Sequence, residues 1–296
     1  AGGTPGANDP ALERLHAEYR QKLVDVRGRA WQLFRDWFFD NPVSALRECD
    51  GDRCEFWRFR YPRRRVRACQ VLTDQARARF PADRNCPLVV ASFGSGLLFQ
   101  DFCTVQMLLE AGYRHIRLVL VDTAYRTWKI KYLRRDSSCR AYVVPSSQLP
   151  ADLLRPDPVV PGPADSEEQV QTAATAAVNN AISFVLYNDA LHQFVQWFTA
   201  IPEASVDLLL YDTVDAYLAD CRMAPDEVCA HVCSAMDYKD NETLLEAAVN
   251  HMMANCLLPN GIGVKLVTLP NESLPGIYVV SRDLQTVWHE ALGHEA

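Results

Sequence analysis

The chain has 296 residues, 49% of them hydrophobic and 23% charged, with a formal net charge of -7. That length suits one large domain, or a domain with a smaller cap, and the composition supplies an ordinary globular core. The acidic balance excludes general affinity for nucleic acid or anionic membrane, and no apolar run reaches the ~18–20 residues of a membrane-spanning helix.

The charge is uneven. Residues 1–85 carry 17 Lys and Arg against 12 Asp and Glu, net +5, which leaves residues 86–296 with 13 against 25, net -12. The N-terminal part is a candidate surface for an acidic partner. The ten cysteines are irregularly spaced and form no CxxC pair. Several fall in apolar segments, where a thiol packs as a small hydrophobe, so we expect reduced thiols and a cytoplasmic protein. No signal-peptide pattern opens the chain.

In chain order, residues 1–9 are rich in Gly, Pro and Ala, and residues 10–40 carry apolar positions at steps of three and four that predict a long helix. Asn41-Pro42 ends it, and a short helix is expected over residues 43–49. Within residues 50–68, Trp57, Phe59 and Tyr61 alternate with Arg58 and Arg60 in a strand-like period of two, and residues 70–80 read as a helix. We therefore divide the chain into an N-terminal helical extension, residues 1–85, and a second unit, residues 86–296.

The second unit opens with Pro87-Leu88-Val89-Val90-Ala91, a buried strand running into Ser92-Phe93-Gly94-Ser95-Gly96. Residues 97–111 predict a helix with Gly112 as its C-cap. Ile116 to Val121 is a second strand ended by Asp122; residues 123–135 are expected to be helical, and Ala141 to Val144 a third strand. Residues 149–165 hold five prolines and read as a surface insertion. Ser166-Glu167-Glu168-Gln169 has the form of a capping box and opens a helix to about residue 199. Val206 to Tyr211 is a fourth strand ended by Asp212. Residues 225–236 and 242–257 read as helices, and Leu258-Pro259-Asn260-Gly261 as a turn. Val264 to Leu269 and Ile277 to Val280 are two further strands, expected as neighbours. Strands alternating with helices, most of them continuously apolar, predict a mainly parallel sheet covered on both faces.

The strongest chemical constellation is the strand, glycine loop and helix start at residues 88–97. Glycine permits a tight turn and close approach to a ligand, and a helix start offers unpaired N–H groups. An acid ending the next strand, here Asp122, accepts hydrogen bonds from ribose hydroxyls in nucleotide-binding α/β folds. Phe99 stands where a dinucleotide loop has its third glycine, which speaks against a nicotinamide cofactor.

The order of motifs resembles class I S-adenosylmethionine-dependent methyltransferases over about residues 86–282. Val90-Ala91-Ser92-Phe93-Gly94-Ser95-Gly96 matches their first motif, Asp122 the second-strand acid, and Asp207-Leu208-Leu209-Leu210-Tyr211-Asp212 the fourth strand. Leu257-Leu258-Pro259-Asn260-Gly261 followed by Val264-Lys265-Leu266-Val267 resembles the turn before their fifth strand. The resemblance implies a Rossmann-like doubly wound sheet with a reversed terminal hairpin and S-adenosylmethionine as cofactor. It implies that Ser92, Gly94, Ser95 and Gly96 approach the methionine and ribose portions and that Asp122 holds the ribose. Tyr125 would cover the adenine face, Ser146 or Gln148 would read its edge, and Asp212, Asp215 and Tyr217 would lie on the acceptor side.

Alternatives remain beside this reading. Ser92 replaces the acid of the family's first motif, which suits a binding or scaffold protein that keeps the fold without catalysis. Asp122 and Asp212 equally suit helix caps. The arginines between Arg58 and Arg67, interleaved with aromatics, suit nucleic-acid phosphates and bases, or an edge packed against the acidic body of the same chain. Cys229 and Cys233 would share a helix face with His231 pointing elsewhere, so no metal site is assigned.

Overall fold

The computed structural model describes residues 62–83, 85–127, 133–135, 141–143, 166–199, 201, 204–223, 230–236, 250–251, 253–267 and 276–292. The helices expected over residues 10–40 and 43–49, the Pro-rich insertion at 149–165 and residues 242–249 lie outside them.

The chain is a mixed α/β protein. Its elements run α1 (Pro62–Arg79), β1 (Leu88–Phe93), α2 (Phe99–Glu110), β2 (His115–Val121), a 3-10 turn (Thr123–Thr127), β3 (Leu133–Arg135), β4 (Ala141–Val143), α3 (Glu167–Thr199), β5 (Ser205–Tyr211), α4 (Val214–Met223), β6 (Ala230–Met236), β7 (Leu257–Val267), β8 (Gly276–Val280) and β9 (Thr286–Ala291). Seven strands form one sheet in the order β5-β2-β1-β6-β7-β8-β9, and β3 and β4 form a separate pair. The first five of that order are parallel; β8 is antiparallel to β7, and β9 to β8.

All six residues of β1 are buried. Its alternate side chains serve two cores, as a strand covered on both faces requires. Leu88 and Val90 join Ile116, Leu118 and Leu120 of β2 and the apolar sides of α1, α2 and α3. Val89, Ala91 and Phe93 join Val119, Val121, Tyr211, Tyr217 and Leu218 of α4, and Met253 and Cys256.

Helix α1 starts at Pro62, a residue suited to the first helical position because its missing N–H has no intrahelical partner there. Val66, Cys69, Leu72, Ala76 and Phe80 follow at three- and four-residue steps and are buried in the core. The helix thus begins earlier than residue 70, and the period-two reading of residues 50–68 does not extend past Tyr61. Of the arginine run, Arg64 is buried and Arg67 grips Glu290 of β9 through Nε (3.0 and 3.1 Å) and Nη2 (2.6 Å). At Arg67 the run is packed against an acid of the same chain; Arg58 and Arg60 lie outside the described residues.

Helix α2 ends as expected. Gly112 adopts φ 99°, its N–H bonds the Leu109 carbonyl (3.0 Å), and the Tyr113 N–H bonds the Leu108 carbonyl (3.1 Å). This double closure satisfies two of the helix's last carbonyls. The capping box of α3 is also present: the Gln169 N–H donates to Ser166 Oγ (3.3 Å) and the Ser166 N–H to Gln169 Oε1 (2.8 Å). The last turns of α3 then bury Phe194 and Phe198, whose rings stand 6.4 and 5.4 Å from Phe102 of α2.

Several expectations are corrected. Residues 123–127 form a 3-10 turn and residues 133–135 a strand, in place of one helix. Ala141–Val143 is a strand, but it pairs with β3 outside the main sheet. The third position of that sheet, beside β2, belongs to Ser205–Tyr211. The fourth, beside β1, belongs to Ala230–Met236, which the sequence suggested as helix. That short run fits either period, and pairing with β1 on one side and β7 on the other selects the strand. Leu258-Pro259-Asn260-Gly261 lies within β7, yet the ladder with β6 jumps from Leu257 to Ile262 while the partner moves from Ala230 to Val232. The expected turn is therefore a bulge. The expected neighbours β7 and β8 pair antiparallel, and β9, which was not foreseen, extends them.

Gly112→Ala should cost about 1–2 kcal/mol, because a Cβ disfavours its left-handed backbone; a lower denaturant midpoint at unchanged slope would show it. The Arg67 hydrogen bonds hold the Glu290 carboxyl below its ordinary 4.5, so the pair stabilises the fold above that pH and the contribution fades as acid protonates Glu290. Both side chains are about a third exposed (39% and 32%), so Glu290→Gln should cost only ~0.5–1 kcal/mol at neutral pH. That cost should shrink below pH 4.5 in urea titrations.

Candidate functional site

The parallel strands β5, β2, β1, β6 and β7 all end at one edge of the sheet. Backbone bonds stitch three of those ends together. The Gly94 N–H donates to the Val121 carbonyl at 2.8 Å, and the Asp122 N–H to the Tyr211 carbonyl at 3.1 Å. Each bond carries the ladder beyond its strand and fixes the direction in which the chain leaves the sheet.

After β1 the backbone takes positive φ at every second residue: Gly94 65°, Gly96 55° and Leu98 68°. The first two are glycines, for which this region carries little strain. Leu98 has a Cβ and is fully buried, so the start of α2 holds it there at a cost of about 1–2 kcal/mol. The Leu98 N–H bonds the Ser95 carbonyl (3.1 Å), and the Leu98 carbonyl accepts the Phe102 N–H (2.9 Å).

Asp122 is the centre of the site. Its Oδ2 accepts the Gly96 N–H at 2.9 Å and its Oδ1 accepts the Ala124 N–H at 2.9 Å. Its backbone carbonyl accepts the Tyr125 N–H at 3.1 Å. The carboxylate thus caps the 3-10 turn, one of the two roles the sequence allowed, and also clasps the glycine loop. It is half-buried, at the edge where strand ends meet solvent.

Beneath the loop lies a hydroxyl pair. Ser95 Oγ and the Tyr125 OH are 3.0 Å apart, and both residues are buried. The Tyr125 ring stands edge-on to Tyr187 of α3, centroids 5.9 Å apart. Burial, then the nearby Asp122 charge, pushes the Tyr125 phenol well above its ordinary value, against the opposing pull of the Ser95 hydrogen bond. It is a neutral group that ties loop to helix.

The remaining candidates divide. Ser92 is buried in β1, in register with Leu120 of β2 and Ser234 of β6. Asp212 is half-buried and follows Tyr211, next to Asp122. Thr213, rather than Asp212, caps α4 by accepting the Ala216 N–H at 3.1 Å. Asp215 is exposed in the first turn of α4. Tyr217 is fully buried, its ring 5.1 Å from Tyr211 and 6.5 Å from Phe93. The fold therefore gathers Gly94, Ser95, Gly96, Asp122, Tyr125 and Asp212 at one edge, while Tyr217 serves the core. Ser146 and Gln148 lie outside the described residues, as does Cys229 of the cysteine–histidine group, whose residues 230–233 are strand. Among the described residues no cluster of three or more His, Cys, Asp or Glu could hold a metal ion, and no helix is long and apolar enough to cross a membrane.

Two residues near this edge were missed. Asp101, in the first turn of α2, is buried and adds to the negative field at Tyr125. Lys265 of β7 is buried and its Nζ donates to Asn250 Oδ1 at 3.0 Å. It shares a register row with Ala235 and, through Ala235, with Phe93. The alternation Val264-Lys265-Leu266 was the available signal, since it places the lysine on the face opposite its neighbours.

No protein-family model matches this sequence, and no curated protein matches it.

Tyr125→Phe removes one member of the hydroxyl pair and leaves Ser95 Oγ without that bond. A loss of about 1–2 kcal/mol is expected by chemical denaturation. The folded phenol keeps its proton to a higher pH than the unfolded one, so the wild type loses stability as pH climbs past about 10, and the variant should lose less.

Proposed function

We propose that the chain is a Rossmann-like, methyltransferase-type protein that binds S-adenosylmethionine at the edge where β1, β2 and β5 end. The observation that carries this reading is the join between the glycine loop and Asp122, made at the end of β1. In the doubly wound nucleotide-binding order 3-2-1-4-5-6, a ligand lies outside the strand ends where the order reverses. Ranked by place in the sheet, β1, β2, β5, β6 and β7 fill positions one to five of that order. The reversal then falls between β1 and β6, beside Gly94.

The residues present suit a nucleoside. Gly94 and Gly96 offer a loop free of side chains. Asp122 uses one hydrogen bond on each oxygen, and a carboxylate accepts about four, so capacity remains for two ribose hydroxyls. Asp212 ends the strand beside β2 and so takes, in place of Ser146 or Gln148, the position for reading a base edge. That place lies on the far side of β2 from β6, away from the acceptor side. Bound there, the cofactor would supply a methyl group on a sulfonium centre. The chain's part is to orient that group and an acceptor, and positioning is a large share of catalysis in such a displacement. A general base is needed only where the acceptor loses a proton.

A second reading, a scaffold that keeps the fold without transfer, is favoured by Ser92. It replaces the first-motif acid and lies buried in the sheet between Leu120 and Ser234. Reduced cysteines, with Cys69, Cys103 and Cys256 buried, agree with a cytoplasmic location under either reading.

Calorimetry with S-adenosylmethionine, S-adenosylhomocysteine and NAD separates the readings. Heat is expected with the first two, weakened on the order of 10- to 100-fold in Asp122→Ala, the size of a lost charged hydrogen bond or two. Binding of NAD alone would overturn the methyltransferase reading, and silence with all three would leave the scaffold.

A further inference from the structure

We infer that the Asp122 carboxylate makes this crevice select nucleosides without phosphate, by placing its own negative charge where a phosphate would sit. The inference rests on the nucleoside reading of the site and narrows its ligand.

Backbone N–H groups in turns of this kind converge into concavities that hold anions, and a helix start adds the positive end of its dipole. In dinucleotide and P-loop proteins the anion held is the ligand's phosphate. Here the Gly94 and Leu98 N–H groups donate to the Val121 and Ser95 carbonyls, and the Gly96 N–H between them is taken by an anion of the chain itself, Asp122 Oδ2 at 2.9 Å. The Ala124 N–H on Oδ1 holds the carboxylate in place from the other side. The loop hydroxyl of Ser95 is turned inward to Tyr125 and buried.

A phosphate reaching this loop would have to displace a carboxylate from an N–H that it already satisfies, and would then lie beside that carboxylate. Like charges at such a distance repel strongly where water is partly excluded. A neutral ribose suffers neither penalty, because its hydroxyls donate to the acceptor positions that Asp122 retains. A cationic sulfonium would be attracted. The same carboxylate thus serves the sugar and excludes the phosphate, which a loop of glycines alone would not do.

The full chain should be titrated by calorimetry with adenosine, 5′-AMP and inorganic phosphate. The wild type is expected to bind adenosine, to bind 5′-AMP at least about tenfold more weakly, and to ignore inorganic phosphate. Asp122→Asn keeps an acceptor oxygen and removes the charge; it should raise the 5′-AMP to adenosine affinity ratio by at least about tenfold. Asp122→Ser, which keeps a capping hydroxyl, should shift the ratio the same way and stands in if the first variant does not fold. Equal or tighter binding of 5′-AMP by the wild type, or an unchanged ratio in the variants, overturns the inference while leaving the nucleoside site intact. If no nucleoside binds, the reading of the site fails, and the inference is judged on phosphate alone. Saturable phosphate binding gained in Asp122→Asn, with a shift of the Gly96 amide resonance, supports it; no gain overturns it.

Discussion

Strand β1 has no exposed side chain, and much of the architecture answers that constraint. A strand buried on both faces cannot leave backbone polar groups to water, so it needs a hydrogen-bonded partner on each edge. It also needs helices over both faces, because its alternate side chains point into separate cores. Strands β2 and β6 supply the edges. Helices α1, α2 and α3 cover one face, and α4 with Met253 and Cys256 covers the other. The end of such a strand is fixed from all sides, which makes it a good platform for a loop whose function depends on position.

The site inherits that rigidity by short steps. Gly94 extends the ladder onto β2, Asp122 extends it onto β5, and the Asp122 side chain then closes back on Gly96. Three separate stretches of chain meet within a few hydrogen bonds. Below them, the Ser95–Tyr125 pair and the Tyr125–Tyr187 contact connect the loop to α3. A polar surface site thus sits directly on an aromatic core.

Local signals in the sequence carried well where the physics is local. The Ser166–Gln169 capping box, the Gly112 terminus and the apolar runs of β1, β2, β5 and β8 were legible because each depends on neighbours within a few residues. The strand β6 was not legible. Residues Ala230–Met236 suit a helix or a strand about equally, and their pairing with Val90–Phe93 is a fact about distant chain. Taking Ala141 to Val144 as the third strand likewise put Val206 to Tyr211 fourth, whereas that strand lies third, beside β2. Asp122 was legible as the acid that ends the second strand, but its bond to Gly96 spans 26 residues, and no periodicity reports such a contact. Tyr125 shows the converse: the resemblance implied a ring over the adenine face, whereas the ring is buried in the core and its hydroxyl meets Ser95.

The two partners of β1 come from very different distances along the chain. Strand β2 arrives after a single helix, whereas β6 begins at residue 230, long after β1 ends at residue 93. At about 5–20 residues per second, a ribosome needs on the order of 10 s to make the intervening stretch. Throughout that interval one side of this fully buried strand has its neighbour still unmade. A nascent chain of this protein therefore carries an open, apolar sheet edge, and its safe passage through synthesis depends on what shields that edge until residue 236 emerges.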